Sequence, residues 1–129
     1  MDTQAKKQTI LIVEDEVSML NALRDKLTHE GFSILEAKNG EEGLATALRD
    51  HPDMILLDVI MPVMDGLTML AKLREDSWGK DAKVIILTNL SDTEKVSAAM
   101  AKGTFDYLVK SDWKLEEVVK KVRERLAQA

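Results

Sequence analysis

Cysteine is absent from this chain of 129 residues, which excludes disulfides, thiolate metal sites and a cysteine nucleophile. Long apolar runs are absent as well, and none approaches the roughly 20 residues that a membrane-spanning helix needs. The polar stretch Met1–Gln8 lacks the apolar segment of a secretory signal, so we interpret residues 1–8 as a flexible tail. Together these absences predict a soluble, cytoplasmic protein with no membrane insertion.

The chain also lacks an excess of basic residues. It has 18 Lys and Arg and 23 Asp and Glu, which give a formal net charge of −5. A protein that binds nucleic acid unaided needs a basic footprint, so we expect no direct nucleic-acid partner. The rest is an ordinary globular composition, with 45% hydrophobic and 32% charged residues. The length suits one domain, which we predict over residues 9–129.

Short apolar runs without polar alternation indicate strands that are buried on both faces of a parallel sheet. A weaker run, Ser33–Ala37, does alternate, which is typical of an edge strand. The four continuous runs are Ile10–Val13, Met54–Leu57, Val84–Leu87 and Tyr107–Val109.

Apolar stripes at helical spacing separate these runs, so the order is a strand followed by a helix, five times over. The clearest stripe lies in the last segment, from Leu115 to Leu126. Capping patterns occur at Asn39-x-x-Glu42 and Ser91-x-x-Glu94. Gly31 and Gly103 stand where helices should end. Right-handed crossovers then place helices on both faces of the sheet.

Polar side chains follow several of the predicted strands at the point where each strand ends. Glu14 and Asp15 follow the run that ends at Val13, and Asp58 follows the run that ends at Leu57. Thr88 directly follows Leu87, and Lys110 directly follows Val109. Parallel strands deliver their carboxyl ends to one edge of the sheet, which is where ligands bind in open α/β folds. We therefore expect these five side chains to converge there.

Carboxylates that converge in this way repel one another, by roughly 4 kcal/mol per pair at about 4 Å and an effective dielectric near 20. A hard divalent cation such as Mg²⁺ offsets that repulsion, whereas zinc is a poor fit because no histidine lies at these strand ends. With a cation and Lys110 beside it, Asp58 could attack a phosphate donor as a nucleophile and form an acyl phosphate.

These segments resemble the receiver domain of two-component response regulators. The most specific part is Leu57–Gly66, in which Asp58 is followed at a fixed interval by Met-Pro and then by Asp-Gly. The resemblance covers nearly the whole chain and implies a flavodoxin-like α/β fold, a doubly wound parallel sheet of five strands in the order 2-1-3-4-5 with five helices. The segments that carry it are Ile10–Glu16, Met54–Gly66, Val84–Thr88 and Tyr107–Lys110.

The resemblance also implies a magnesium site built around the phosphoacceptor. Asp58 matches the phosphoacceptor and is a ligand itself. Asp15 matches the acid that binds Mg²⁺ directly, and Glu14 matches the acid that holds it through water. The backbone carbonyl of Ile60 matches the remaining protein ligand.

Three further residues match the switching machinery of the family. Thr88 matches the hydroxyl that moves to the phosphoryl group, and Lys110 matches the lysine that pairs with that group. Tyr107 matches the aromatic that changes rotamer when the threonine moves.

The implied function is that of a signalling phosphoacceptor in a phosphorelay. Such a domain is not a conventional enzyme, although it assists its own phosphorylation and dephosphorylation. The donor would be a sensor histidine kinase or a phosphotransfer protein. The output would be a downstream protein that binds a switched surface formed by Ser91–Lys102, strand five and the last helix.

Three departures from the family pattern stand out. Ser111 follows Lys110 where proline is usual, so we predict a trans peptide bond between them, because cis bonds without proline cost about 3 kcal/mol. Asn89 stands where a small residue is usual. Glu14 replaces the commoner aspartate, and its longer side chain still reaches a metal-bound water.

Three other functions are each disfavoured by residues of this chain. A dehalogenase-type phosphotransferase would have an aspartate two residues after its nucleophile, where this chain has Ile60. A flavin module would have a loop rich in Ser, Thr and Gly after the first strand, where this chain has Glu14-Asp15-Glu16. A degenerate receiver would bind partners without being phosphorylated, which the intact acceptor set argues against.

Some polar residues are interpreted as structural. Glu16 is expected to be an acid at the start of a helix, and Asp65 to cap the helix that follows it. His29 and His51 are expected to stand isolated at helix ends, without a function.

Overall fold

The computed structural model describes residues 7–88, 94, 97, 106–109 and 114–127. Five parallel strands form one sheet in the order β2-β1-β3-β4-β5, and each predicted run lies within one of them. The parallel α/β architecture is the predicted one. The strands are β1 (Thr9–Val13), β2 (Ser33–Ala37), β3 (Met54–Asp58), β4 (Val84–Thr88) and β5 (Asp106–Val109).

Helices follow the strands, and those with described bounds are α1 (Val17–His29), α2 (Gly40–Asp50), α3 (Gly66–Glu75) and the C-terminal helix (Leu115–Leu126). A short 3₁₀ helix, Gly79–Asp81, precedes β4. The remaining predicted helix falls between β4 and β5, where only Glu94 and Ser97 are described, and both are helical. The predicted cap at Ser91 and helix end at Gly103 lie outside the described residues, and the tail over residues 1–8 stays a prediction.

The alternation of side chains along each strand divides the core into two clusters, one on each face of the sheet. Leu11, Ile55 and Ile86 pack in the cluster that includes residues of α2 and α3. Ile12 and Leu56, one position away, pack in the cluster that includes residues of α1 and the C-terminal helix. Every residue of β3 and β4 is buried, which explains their continuous apolar sequences.

Local capping sets where two helices begin, as the sequence predicts. The Asn39 side chain accepts a hydrogen bond from Glu42 N–H at 2.9 Å, and the Glu42 carboxylate accepts one from Lys38 N–H at 3.3 Å. Asp65 caps α3 by accepting a bond from Thr68 N–H at 2.7 Å. None of the helices in the described part of the chain is long and apolar enough to cross a membrane.

Candidate functional site

The buried polar side chains of the described residues all lie at the carboxyl edge of the sheet. They are Glu14, Asp58 and Thr88, which are 0%, 4% and 0% exposed. Glu14 directly follows β1, whereas Asp58 and Thr88 are the last residues of β3 and β4. Because burying a charge is costly unless something compensates it, this concentration makes the carboxyl edge the candidate functional site.

The strand register brings these residues together. Val13 pairs with Leu57, so Glu14 lies level with Asp58 at the end of the neighbouring strand. Asp58 in turn pairs with Leu87, which places Thr88 one residue beyond it on the other side. Asp58 therefore lies at the centre of the edge, between the strands that carry the acidic pair and the hydroxyl.

Three carboxylates form a group that could hold a metal ion. One oxygen each of Glu14, Asp15 and Asp58 lies within 4.8 Å of the others. Asp15 is exposed, whereas the other two are buried, so the group opens to solvent on the side of Asp15. At this separation each pair of charges costs about 3–4 kcal/mol at an effective dielectric near 20. An all-oxygen donor set of this charge fits Mg²⁺. It contains none of the nitrogen or sulfur ligands that zinc prefers.

Backbone contacts fix Glu14 within this group. Its N–H donates to the Ala37 carbonyl at 3.0 Å, and its carboxylate accepts from Glu16 N–H at 3.2 Å. Glu16 is itself the N-cap residue of α1, is exposed, and accepts a bond from the Ser18 hydroxyl at 3.1 Å. The interpretation of Glu16 as an acid at a helix start therefore agrees with its position.

The loop that joins Asp58 to α3, residues 59–65, carries Ile60 on its exposed side. Gly66 N–H donates to the Val59 carbonyl at 2.8 Å, which closes the loop. A Cβ atom at Gly66 would lie 2.0 Å from the Asp58 carbonyl oxygen, so only glycine permits this approach. The Asp-Gly pair of the sequence motif thus has a structural role: Asp65 caps α3, and Gly66 lets the start of α3 pack against the end of β3.

Two of the predicted site residues reach the limit of what is described. Tyr107 lies in β5 and pairs with Ile86, but its side chain is outside the described part, as is Lys110. The departures at Asn89 and Ser111, and the peptide bond between Lys110 and Ser111, also lie outside it. Their roles stay predictions.

Two features were not predicted from the sequence: the backbone conformation of Val63, in the loop of residues 59–65, and a ring stack at the amino edge of the sheet. Val63 has a φ of 68°, which is rare for a β-branched residue. His51, which we expected to be isolated, stacks on Trp78 with ring centroids 4.3 Å apart and planes 9° from parallel. The expectation that His51 stands isolated was therefore wrong. The contact joins the end of α2 to the segment after α3, so it has no signal in the local sequence. The stack borders a cavity of about 420 Å³ at the amino edge, away from the carboxylates.

Comparison with known proteins agrees with this geometry. The profile of the response regulator receiver domain family matches residues 10–123. Response regulator ArlR of Staphylococcus aureus is 36% identical over 114 residues, which cover 88% of this chain and 50% of ArlR. The chain spans about half the length of the curated relatives it matches.

Solved structures are similar over almost the whole chain. A response regulator described as putative, from Chloroflexus aurantiacus, superposes with a TM-score of 0.87 at 31% identity, covering 95% of this chain and 100% of that one. The receiver domain of the sensor histidine kinase PA1611 from Pseudomonas aeruginosa, with magnesium in its active site cleft, gives 0.86 at 25% identity and the same coverage. The match to the family profile spans most of the sequence, and the chain therefore belongs to the response regulator receiver domain family.

Proposed function

We propose that Asp58 accepts a phosphoryl group from a phosphohistidine of a sensor kinase or phosphotransfer protein, in a reaction that depends on Mg²⁺. One observation carries the proposal: the buried polar side chains of the described residues all meet at the edge of the sheet where Asp58 lies. Family membership supports phosphoryl acceptance, and it leaves the dehalogenase and flavin alternatives without support.

The residues that would hold the cation are Asp15, Asp58 and the Ile60 carbonyl, with Glu14 acting through water. Three close carboxylates supply the negative charge that such a cation neutralises. The receiver domain of PA1611 holds magnesium in its active site cleft, which supports a magnesium ion at the corresponding cleft here. When bound, Mg²⁺ would stabilise the charge on the oxygens of the transferring phosphoryl group.

The chemical step belongs to Asp58. One of its carboxylate oxygens attacks the phosphorus and forms the new phosphorus–oxygen bond, while the phosphorus–nitrogen bond of the donor breaks. The imidazole leaves with the electron pair of that bond. The near-complete burial of Asp58 limits competing water and holds the nucleophile in place at the end of β3.

The response to phosphorylation would start at Thr88. Its buried hydroxyl would donate to a phosphoryl oxygen, with Lys110 pairing with the same group and Tyr107 following the movement. The downstream partner would bind the changed surface, which is formed by Ser91–Lys102, strand five and the last helix.

Labelling with a small donor tests the proposal directly. The full chain is incubated with Mg²⁺ and acetyl phosphate and its intact mass is measured. We expect one added phosphoryl group in the wild type and none in Asp58→Asn or when EDTA removes the cation. Equal labelling of Asp58→Asn would overturn the assignment, and an unlabelled wild type would favour a degenerate receiver.

The two acids of the metal site can be separated in the same way. Asp15→Asn should lose most of the Mg²⁺ affinity, measured by titration calorimetry, because Asp15 is assigned direct contact. Glu14→Gln should lose less, because its contact passes through water. Reversed sensitivities would exchange the two roles.

A further inference from the structure

The loop of residues 59–65 is held from outside by the first residue of α2. Gly40 N–H donates to the Met64 carbonyl at 2.8 Å, which ties the loop to a helix that lies elsewhere in the sequence. A Cβ atom at Gly40 would lie 2.5 Å from the Met64 carbonyl oxygen and 3.0 Å from that of Asp65. Main-chain atoms cannot turn aside as a side chain does, so the contact requires glycine at this position.

The held conformation is strained at Val63. Met64 N–H donates to the Pro62 carbonyl at 2.7 Å, which closes a three-residue γ-turn centred on Val63. The φ of 68° places this turn in the rare, strained class, and a β-branched residue resists that region. The Val63 side chain is 76% exposed, so packing around it cannot be what holds the turn. Such strain persists only where neighbouring contacts impose it.

The strained turn lies on the same short loop as the proposed carbonyl ligand. Ile60 stands two residues after Asp58 and three before Val63. The hydrogen bond from Gly66 N–H to the Val59 carbonyl closes the loop. The hydrogen bond from Gly40 N–H to the Met64 carbonyl holds the loop next to Val63. If the Gly40 contact were lost, Val63 would relax to a negative φ, and the main chain between the two holding points would change course.

We infer that Gly40 is a positioning residue for the cation site: through the Met64 carbonyl it holds the loop in the strained form that keeps the Ile60 carbonyl at the site. The inference rests on the proposed function, because it takes the Ile60 carbonyl as a ligand. It adds α2, which carries none of the assigned site residues, to the elements that determine cation affinity.

The test measures Mg²⁺ affinity of the full chain by titration calorimetry, beside the free energy of unfolding in urea with EDTA. Gly40→Ala should weaken Mg²⁺ binding by about tenfold, the lower end of what loss of a supporting contact costs a metal site. Gly79→Ala is the matched control, because its Cβ would lie 2.1 Å from the Leu73 carbonyl oxygen, at the other edge of the sheet. The control should lose stability and keep its Mg²⁺ affinity within about twofold.

Rescue separates positioning from simple damage to the fold. Val63→Gly removes the cost of a positive φ, so Gly40→Ala combined with Val63→Gly should recover part of the affinity that Gly40→Ala loses. The combined variant also serves if Gly40→Ala alone folds poorly. Wild-type affinity in Gly40→Ala, or equal weakening in Gly79→Ala, would overturn the inference, and absence of rescue would overturn the role of Val63. A wild type without Mg²⁺ affinity would instead overturn the proposed function.

Discussion

The two edges of the sheet use their polar side chains in opposite ways. At the amino edge, charged groups bond to main-chain carbonyls and join one element to another. Lys83 Nζ donates to the Arg125 carbonyl at 3.0 Å, which ties the start of β4 to the end of the C-terminal helix. Arg74 Nη1 donates to the carbonyls of Gly79 and Ala82 at 2.7 and 2.9 Å. Both of these cations meet carbonyl oxygens that attract them.

At the carboxyl edge, charges of the same sign are brought together instead. Glu14, Asp15 and Asp58 approach within 4.8 Å, with two of them buried. The amino edge therefore joins elements through charges that main-chain oxygens compensate, whereas the carboxyl edge concentrates like charges that a divalent cation would neutralise.

Loss of Arg74 should have the largest effect on stability. Burial lowers the pKa of Arg74, yet a guanidinium stays charged, so its two bonds to carbonyls compensate a partly desolvated cation. Arg74→Ala should lower the free energy of unfolding by about 2–3 kcal/mol in urea titrations. Arg49→Ala, which removes an exposed arginine paired with Asp50, should cost less than about 0.5 kcal/mol. Equal losses in the two variants would contradict a special role for the amino edge.

Removing one charge from the carboxyl edge should have the opposite sign. Asp58→Asn relieves repulsion within the group, so we expect the free energy of unfolding in EDTA to rise by about 1–2 kcal/mol. Mg²⁺ should stabilise the wild type and should stabilise this variant much less. A variant that is less stable than the wild type in EDTA would show that Asp58 contributes to the fold rather than opposing it.

Relief of strain beside the site should give a smaller gain. Asparagine tolerates a positive φ far better than valine, so Val63→Asn should raise the free energy of unfolding by about 1 kcal/mol. Thermal and urea unfolding would both report the gain. Val17→Asn is a suitable control, because Val17 is also exposed and apolar but begins a regular helix. An equal gain in Val17→Asn would mean that exposure, and not backbone strain, is the cause.

The smallest effect is expected from the ion pair between Glu30 and Arg123. The Arg123 guanidinium lies 3.0 Å from the Glu30 carboxylate and holds the pKa of that carboxyl below its usual value. A lowered pKa in the folded state contributes stability above the unfolded pKa, near 4.3, and loses it as the pH falls through the folded value. The difference in melting temperature between wild type and Glu30→Gln should be constant from about pH 5 upward and shrink below about pH 4. A difference that grows in acid would contradict this sign.

Local patterns in the sequence predicted the elements that depend on neighbours in the chain. The cap at Asn39 could be predicted because its partner, Glu42, lies three residues away. The buried strands could be predicted because residues packed on both faces must all be apolar, as in Met54–Leu57. Asp58 could be predicted to meet Glu14 and Asp15 because parallel strands end at one edge.

Contacts between distant segments could not be predicted in the same way. The contact between Gly40 and Met64 depends on how α2 packs beside the loop, so it has no signal in the sequence around Gly40. The strained φ of Val63 has no signal in its own residue type, which favours other conformations. The stacking of His51 on Trp78 likewise depends on where two segments meet in space.

The edge strand β2 has a consequence for crowding and self-association. Among the described strands it pairs only with β1, so its outer hydrogen-bonding side is open to a strand from another molecule. It is five residues long and carries Glu36, whose carboxylate lies 3.4 Å from Arg24 on α1. A second chain that extended the sheet there would have to cover this ion pair and remove it from water. Charged side chains on an edge strand disfavour pairing with another strand, so the ion pair between Glu36 and Arg24 lowers the tendency of this open edge to aggregate.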